Sequence, residues 1–412
     1  MRLLRALVVS LFLLVAAVTA PAVTAAGAGW TSVWTTSAQM PSKTMGPSWS
    51  LEGFSNHTLR QVIRVSQGGL ATRVRLTNRY GTGTLAIAGG TVAVTGTGAD
   101  IRPDTLRPLT FGGAAEFRIP AGAELATDPV PLPVAPFQSL TITLHLAAPT
   151  GPATHHAQAL TTSYRATGDH RADAAGTAFT ETTQSWYYLS GVEVFEVLPQ
   201  RSGVVAFGDS ITEGVGSTVG ADNRYPDELA ERLAAEGIPR AVIDQGIGGN
   251  RLTVDSSWLG ASAQRRFQTD VLEQPGVGTV IILAGINDIG LSAAGPGAAD
   301  TVVPVSTDQL VAGHLDLIRR ARAKGLRVIG ATLTPIDGSP YFSPAAESAR
   351  QALNSWIRTA GAYDAIVDFD AALRDPANPR RFAPQFDSGD HIHPGDAGYA
   401  AMAAAVNPAD FG

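Results

Sequence analysis

In the first half of the chain, apolar and polar residues alternate in short runs broken by Gly, Pro, Asn and Asp. The stretches 59–65, 71–76, 84–94 and 140–146 show this most clearly. Alternation of period two buries one face of a strand and wets the other, so about Trp30 to Val197 predicts antiparallel strands in an all-β sandwich or jelly roll. After Pro199-Gln-Arg-Ser-Gly203 the period changes. Continuous apolar runs at 204–207, 241–243, 280–284, 328–331 and 365–369 now alternate with helix-like stretches near 225–236, 261–272, 307–324 and 344–359. Strands that are apolar on both faces, each returned by a helix, predict an α/β domain built on a doubly wound parallel sheet of five strands.

Two halves of different period in 412 residues imply two domains, 27–200 and 203–412, each long enough to bury a core. Residues 1–26 read as a secretory signal peptide: Arg2 and Arg5 precede the apolar run 6–18, and small residues follow. The run is short for a membrane span, which needs about 20 residues, so the expected mature protein is exported and soluble. Its removal takes the formal net charge from −6 to −8, which argues against a nucleic-acid partner. Cysteine is absent, and with it go disulfides, thiolate nucleophiles and Cys-ligated metals.

Ligands of open α/β sheets bind beyond the carboxyl ends of the strands. Here the first strand runs into Gly208-Asp209-Ser210, the second into Asp244-Gln-Gly-Ile-Gly-Gly249-Asn250, and the third into Gly285-Ile-Asn287-Asp288. Three successive strands thus bring Ser, Gly and Asn to one edge. That set suits acyl transfer: the Ser210 hydroxyl attacks, while the N–H groups of Ser210 and Gly249 and the Asn287 amide meet the developing oxyanion. A serine needs a base, and Asp390-His391-Ile392-His393-Pro394 offers imidazoles with carboxylates at turn spacing. Spacing leaves open His391 against His393, Asp387 against Asp390, and Gly248 against Gly249.

Together these segments resemble the four blocks of SGNH hydrolases, the GDSL-type lipases and acylhydrolases. Gly208-Asp209-Ser210, Gly249, Gly285-Ile-Asn287-Asp288 and Asp390-His391-Ile392-His393-Pro394 stand in the family's order over roughly 203–405. The resemblance implies the flavodoxin-like SGNH hydrolase fold, with Ser210, Asp390 and His393 catalytic and Ser210, Gly249 and Asn287 as the oxyanion hole. It also implies ester hydrolysis on acetyl or short-chain acyl esters, polysaccharide esters included, without metal or organic cofactor. Acyl transfer to another acceptor would use the same intermediate. A polysaccharide-binding protein with a degenerate hydrolase domain is the reading from outside catalysis.

Other candidates have plainer explanations. Asp209 in a strand-to-helix turn is expected to bond local backbone, and Pro394 suits the first position of a closing helix through Ala404. Asp368 and Asp370 form a carboxylate pair whose use in glycoside cleavage would leave Ser, Asn and His unexplained. Trp186-Tyr187-Tyr188 and Asn78-Arg79-Tyr80 could face a sugar, but aromatics of this kind more often pack a sandwich core. The Gly- and Ala-rich stretch within 288–305 is the candidate pocket wall or lid. The absence of G-x-S-x-G around Ser210 argues against an α/β-hydrolase elbow.

Overall fold

In the structure, a computed structural model that describes residues 29–43, 46–196, 202–293 and 303–411, the period-two runs form two antiparallel sheets. The signal segment 1–26 and most of the expected boundary lie outside the described residues. One sheet orders the strands Trp30–Thr35, Leu189–Phe195, Thr72–Thr77 and Glu124–Ala126; the other orders Glu181–Thr183, Ser163–Thr167, His57–Arg64, Ser139–Leu146, Gly89–Val94 and Arg107–Leu109. Their inner faces bury Leu59, Ile63, Val74, Leu76, Ile142 and Val192, while Arg73 and Arg75 point outward to Glu193 and Glu124. The expected strand 84–94 is divided: Leu85–Ile87 pairs with Phe117–Ile119, and only Gly89–Val94 joins the large sheet. Trp186, Tyr187 and Tyr188 are fully buried, with the Trp186 ring 4.8 Å from Trp34 and Tyr187 stacked on Trp49 at 5.6 Å. These rings fill the core and do not face a sugar. Asn78 is likewise a turn brace, its amide donating to the carbonyls of Gly83 and Ile119.

The second half forms one five-stranded parallel sheet in the order Val242–Gln245, Gly203–Gly208, Val277–Leu283, Arg327–Ala331, Ala365–Val367. Residues 204–207 and 280–282 are completely buried, as strands covered on both faces by helices must be. The helices are α1 (Ser210–Glu213), α2 (Tyr225–Ala235), α3 (Ala263–Phe267), α4 (Ile286–Ala293), α5 (Thr307–Ala323), α6 (Pro344–Thr359), α7 (Phe369–Leu373) and α8 (Asp396–Ala405). Caps set several starts: Ser306 and Gln309 form a capping box on α5, and the Ser343 hydroxyl accepts from the Ala346 N–H before Pro344 opens α6. The expected helix 261–272 is α3 followed by a wider π turn, Gln268–Leu272. Pro394 precedes the Gly395 cap of α8 and is not its first helical residue. Among the described residues no helix is long and apolar enough to cross a membrane.

The first strand lies between the second and the third, so the winding reverses there and opens a crevice at the carboxyl ends. The outer edge of Val242–Gln245 is covered by the β-rich half. Ser66 Oγ accepts from the Val242 N–H at 3.1 Å, Thr35 Oγ1 donates to the Asp244 carbonyl at 3.2 Å, and Ser37 Oγ donates to Gln245 Oε1 at 2.6 Å. An unpaired sheet edge is thereby satisfied.

Candidate active site

Gly208 ends the first strand where a Cβ would lie 2.5 Å from the Leu283 carbonyl oxygen, so only glycine lets the chain turn this tightly. Asp209 follows, and its Oδ1 accepts from the Ile211 N–H at 3.1 Å, capping α1. That is the local backbone role expected of it. Burial, opposed by the Ile211 amide and by His393, pushes the Asp209 carboxyl up to about 7. Ser210 is the first residue of α1, so its N–H is among the donors that a helix start leaves without an intrahelical partner.

The second loop turns through Ile247-Gly248-Gly249-Asn250, closed by the Asn250 N–H on the Ile247 carbonyl at 3.0 Å. Gly249 holds φ of 71°, and a Cβ there would lie 2.4 Å from the Leu259 side chain; Gly248 is not in the left-handed region. Asn287 sits in the first turn of α4, its Nδ2 donating to the Asn250 carbonyl at 3.0 Å and its Oδ1 accepting from the Tyr341 hydroxyl at 2.9 Å. The amide is held at both ends, with one N–H left over. Asp288 ties the same two loops together, accepting from the Leu252 N–H at 2.7 Å beside Arg251.

The carboxyl-terminal segment is a tight turn in which Asp387 bridges Pro394 and the Ser388 N–H donates to the His393 carbonyl at 3.1 Å. Asp390 Oδ1 accepts from the N–H groups of Ile392 and His393 at 3.0 and 2.8 Å, and its Oδ2 accepts from His393 Nδ1–H at 2.5 Å. An Asx turn thus aligns carboxylate and imidazole three residues apart. Partial burial raises the Asp390 carboxyl, but the bonds from the His393 ring and backbone outweigh it and hold it well below the ordinary carboxylate range. An ionised Asp390 places the proton on Nδ1, so the Ser210 hydroxyl donates to His393 Nε2, at 2.8 Å.

Ser210, His393, Asp390, Gly249 and Asn287 all line one cavity of about 370 Å³, with Tyr341, Trp258, Leu259, Leu291 and Gln158. His391 and Asp387 bond to each other at 2.5 Å and line a different cavity, with Asp337 and Arg381. Asp370 is held by Arg350 at 2.6 Å and Arg358 at 2.7 Å, and Asp368 caps α7. Those carboxylates are structural. Of the expected lid, Leu291 forms cavity wall, whereas 294–302 lie outside the described residues. Among the described residues no group of three or more His, Cys, Asp or Glu could hold a metal ion.

Three groups gave no warning in the sequence. Tyr341 orients Asn287, and Gln158 comes from the other half of the chain. Arg266, fully buried on α3, donates to the Gly208 carbonyl at 2.6 Å, the Gln245 carbonyl at 2.8 Å and Asn250 Oδ1 at 3.0 Å. It joins the loops that follow the first two strands from beneath.

Residues 206–401 match the model of the GDSL-like Lipase/Acylhydrolase family. Similar solved structures include a GDSL-like lipase from Bacteroides thetaiotaomicron, 22% identical over 51% of this chain and 88% of that one, with a TM-score of 0.38. An acetyl xylan esterase from Geobacillus stearothermophilus is 21% identical over 52% and 96%, TM-score 0.40. An aryl esterase of M. smegmatis is 16% identical over 50% and 95%, TM-score 0.39. No curated protein matches the chain.

Proposed function

We propose, from the premise that residues 206–401 of this chain are a GDSL-like lipase/acylhydrolase domain, that the protein hydrolyses carboxylic esters through an acyl intermediate on Ser210. The observation that carries this reading is the unbroken chain from the Ser210 hydroxyl through His393 to Asp390, 2.8 and 2.5 Å, opening on the cavity. His393 Nε2 takes the hydroxyl proton as Oγ attacks the ester carbon, and the Nδ1 bond to Asp390 stabilises the imidazolium that forms. The N–H groups of Ser210 and Gly249 and the free N–H of Asn287 Nδ2 receive the oxyanion. The same proton then passes from His393 to the departing alkoxide, and a water activated by His393 releases the acid.

A cavity of about 370 Å³ lies at the small end for ligand sites, and its wall includes Leu259 and Leu291. This supports acetyl or short-chain acyl groups, those borne on polysaccharides included. We also read 1–26 as a signal peptide removed on secretion, 27–200 as an accessory β domain and 203–412 as the catalytic domain. Arg2 and Arg5 before the apolar run support the first of these, and the change of period after Gly203 supports the others.

The test is release of nitrophenol from esters of increasing acyl length by the wild type and by Ser210→Ala. The serine reading expects turnover to fall by about 10⁴-fold or more in a variant that keeps the wild-type circular dichroism. Equal rates in the two proteins would refute it.

A further inference from the structure

Tyr341 stands in the loop between the fourth strand, Arg327–Ala331, and α6. That loop is braced from within. The Ser339 N–H and hydroxyl both donate to the Ile336 carbonyl, at 3.1 and 2.7 Å, and Ser339 Oγ accepts from the Tyr341 N–H at 3.2 Å. The Tyr341 ring lies across α4 at Gly290, where a Cβ would stand 2.1 Å from Tyr341 Cδ2, so any other residue at 290 would push the ring away.

Asn287 and Gly290 are three residues apart on α4 and share a face of it. The glycine admits the ring, and the hydroxyl then reaches Asn287 Oδ1 one turn back, at 2.9 Å. Burial pushes that hydroxyl up to about 12, so it keeps its proton through the pH range in which an imidazole base works. An amide held only by the Asn250 carbonyl, at 3.0 Å, could swing about that bond and carry its second N–H with it. The bond from Tyr341 removes this freedom. Donation into Oδ1 also polarises the amide and strengthens its N–H groups as donors.

We propose that Tyr341 is a positioning residue of this site: through Asn287 Oδ1 it fixes where the remaining amide N–H points, and Gly290 is the notch in α4 that lets it do so. The inference rests on the esterase reading above, in which that N–H receives the oxyanion, and extends the oxyanion hole to a side chain on the fourth-strand loop. An oxyanion forms twice, when Ser210 attacks the ester and when water attacks the acyl enzyme, so a misaimed donor slows both steps alike. Such a loss falls on kcat and leaves KM where it was.

The experiment measures kcat and KM on nitrophenyl acetate for the full chain, Tyr341→Phe, Asn287→Ala and the double variant, each checked by thermal unfolding. Tyr341→Phe keeps the ring on Gly290 and removes only the hydroxyl. It is expected to lose about tenfold in kcat with KM within about twofold of wild type. That is less than the loss of about 10²–10³ expected of Asn287→Ala, because the donor is misaimed and not absent. In the Asn287→Ala background the change at 341 is expected to cost less than about twofold, since nothing is left to aim. Should Asn287→Ala fail to fold, Asn287→Leu, of similar volume, serves as the background. A wild-type kcat in Tyr341→Phe or in the Asn287 variant, or a tenfold loss that persists in the double variant, overturns the proposal. Failure of the esterase reading shows differently, as equal hydrolysis by the wild type and Ser210→Ala.

Discussion

Asp209 sits between Ser210 and the end of its strand with one carboxylate oxygen on the Ile211 amide and the other buried without a partner. Its carboxyl is pushed up to about 7, from 3.8, chiefly by burial. Between those pH values the folded protein keeps a proton that the unfolded chain has lost. The associated stability is therefore complete below about pH 4 and disappears as the pH rises through about 7. Asp209→Asn keeps the oxygen that caps α1 and removes the titration. The melting temperature of the wild type should fall by a few degrees more between about pH 5 and about pH 8 than that of Asp209→Asn. Parallel curves by calorimetry would contradict the assignment. Asp390 has the opposite sign, being held ionised by its bonds to His393 and Ile392, so it remains an acceptor over that whole range.

At the scale of elements the site is a meeting of loops, and what holds the loops is a helix that carries no reacting group. Arg266 of α3 lies over the Phe207 ring at 4.2 Å and reaches the carbonyls that end the first and second strands, with Asp270 one turn on at 2.9 Å. Burial costs its guanidinium dearly and lowers its pKa, and the carbonyl and carboxylate partners compensate. Arg266→Met would keep the stem and strand those partners. We expect a loss of about 3–5 kcal/mol, read as a lower urea midpoint at unchanged slope. A midpoint within experimental error of wild type would mean that the two loops hold their geometry without it.

For the whole molecule, the covering of the Val242–Gln245 edge makes the two halves mutually dependent. Ser37 bonds both Gln245 and Arg266, and His156 Nε2 lies 3.1 Å from Glu213 Oε1 at the end of α1. Ala241, just ahead of the edge strand, belongs to the hydrophobic core of the sandwich. A shared core and buried polar contacts couple the unfolding of one half to that of the other. Calorimetry should therefore show one transition whose calorimetric and van't Hoff enthalpies agree within about 10%. Two resolved transitions would show that the β-rich half is a separable module.

The sequence by itself determined what depends on near neighbours in the chain. Period two against continuous apolar runs separated the sandwich from the parallel sheet, since burial on one face or on two is written directly into side-chain order. The carboxyl ends of the first three strands announced Ser210, the glycine pair and Asn287, and turn spacing announced a His–Asp pair. Only the tertiary structure decided which members of those pairs meet. His391 and His393 are two residues apart, yet the left-handed φ of 65° at His391 turns it to another cavity, while His393 reaches a serine 183 residues away. Gly249 lines the cavity beside Ser210, and Trp186 to Tyr188 went to the core because of what packs against them. Tyr341, Arg266 and Gln158 remained illegible for the same reason. Each acts through a contact between distant segments, and such a contact leaves no period, spacing or composition in the chain that makes it.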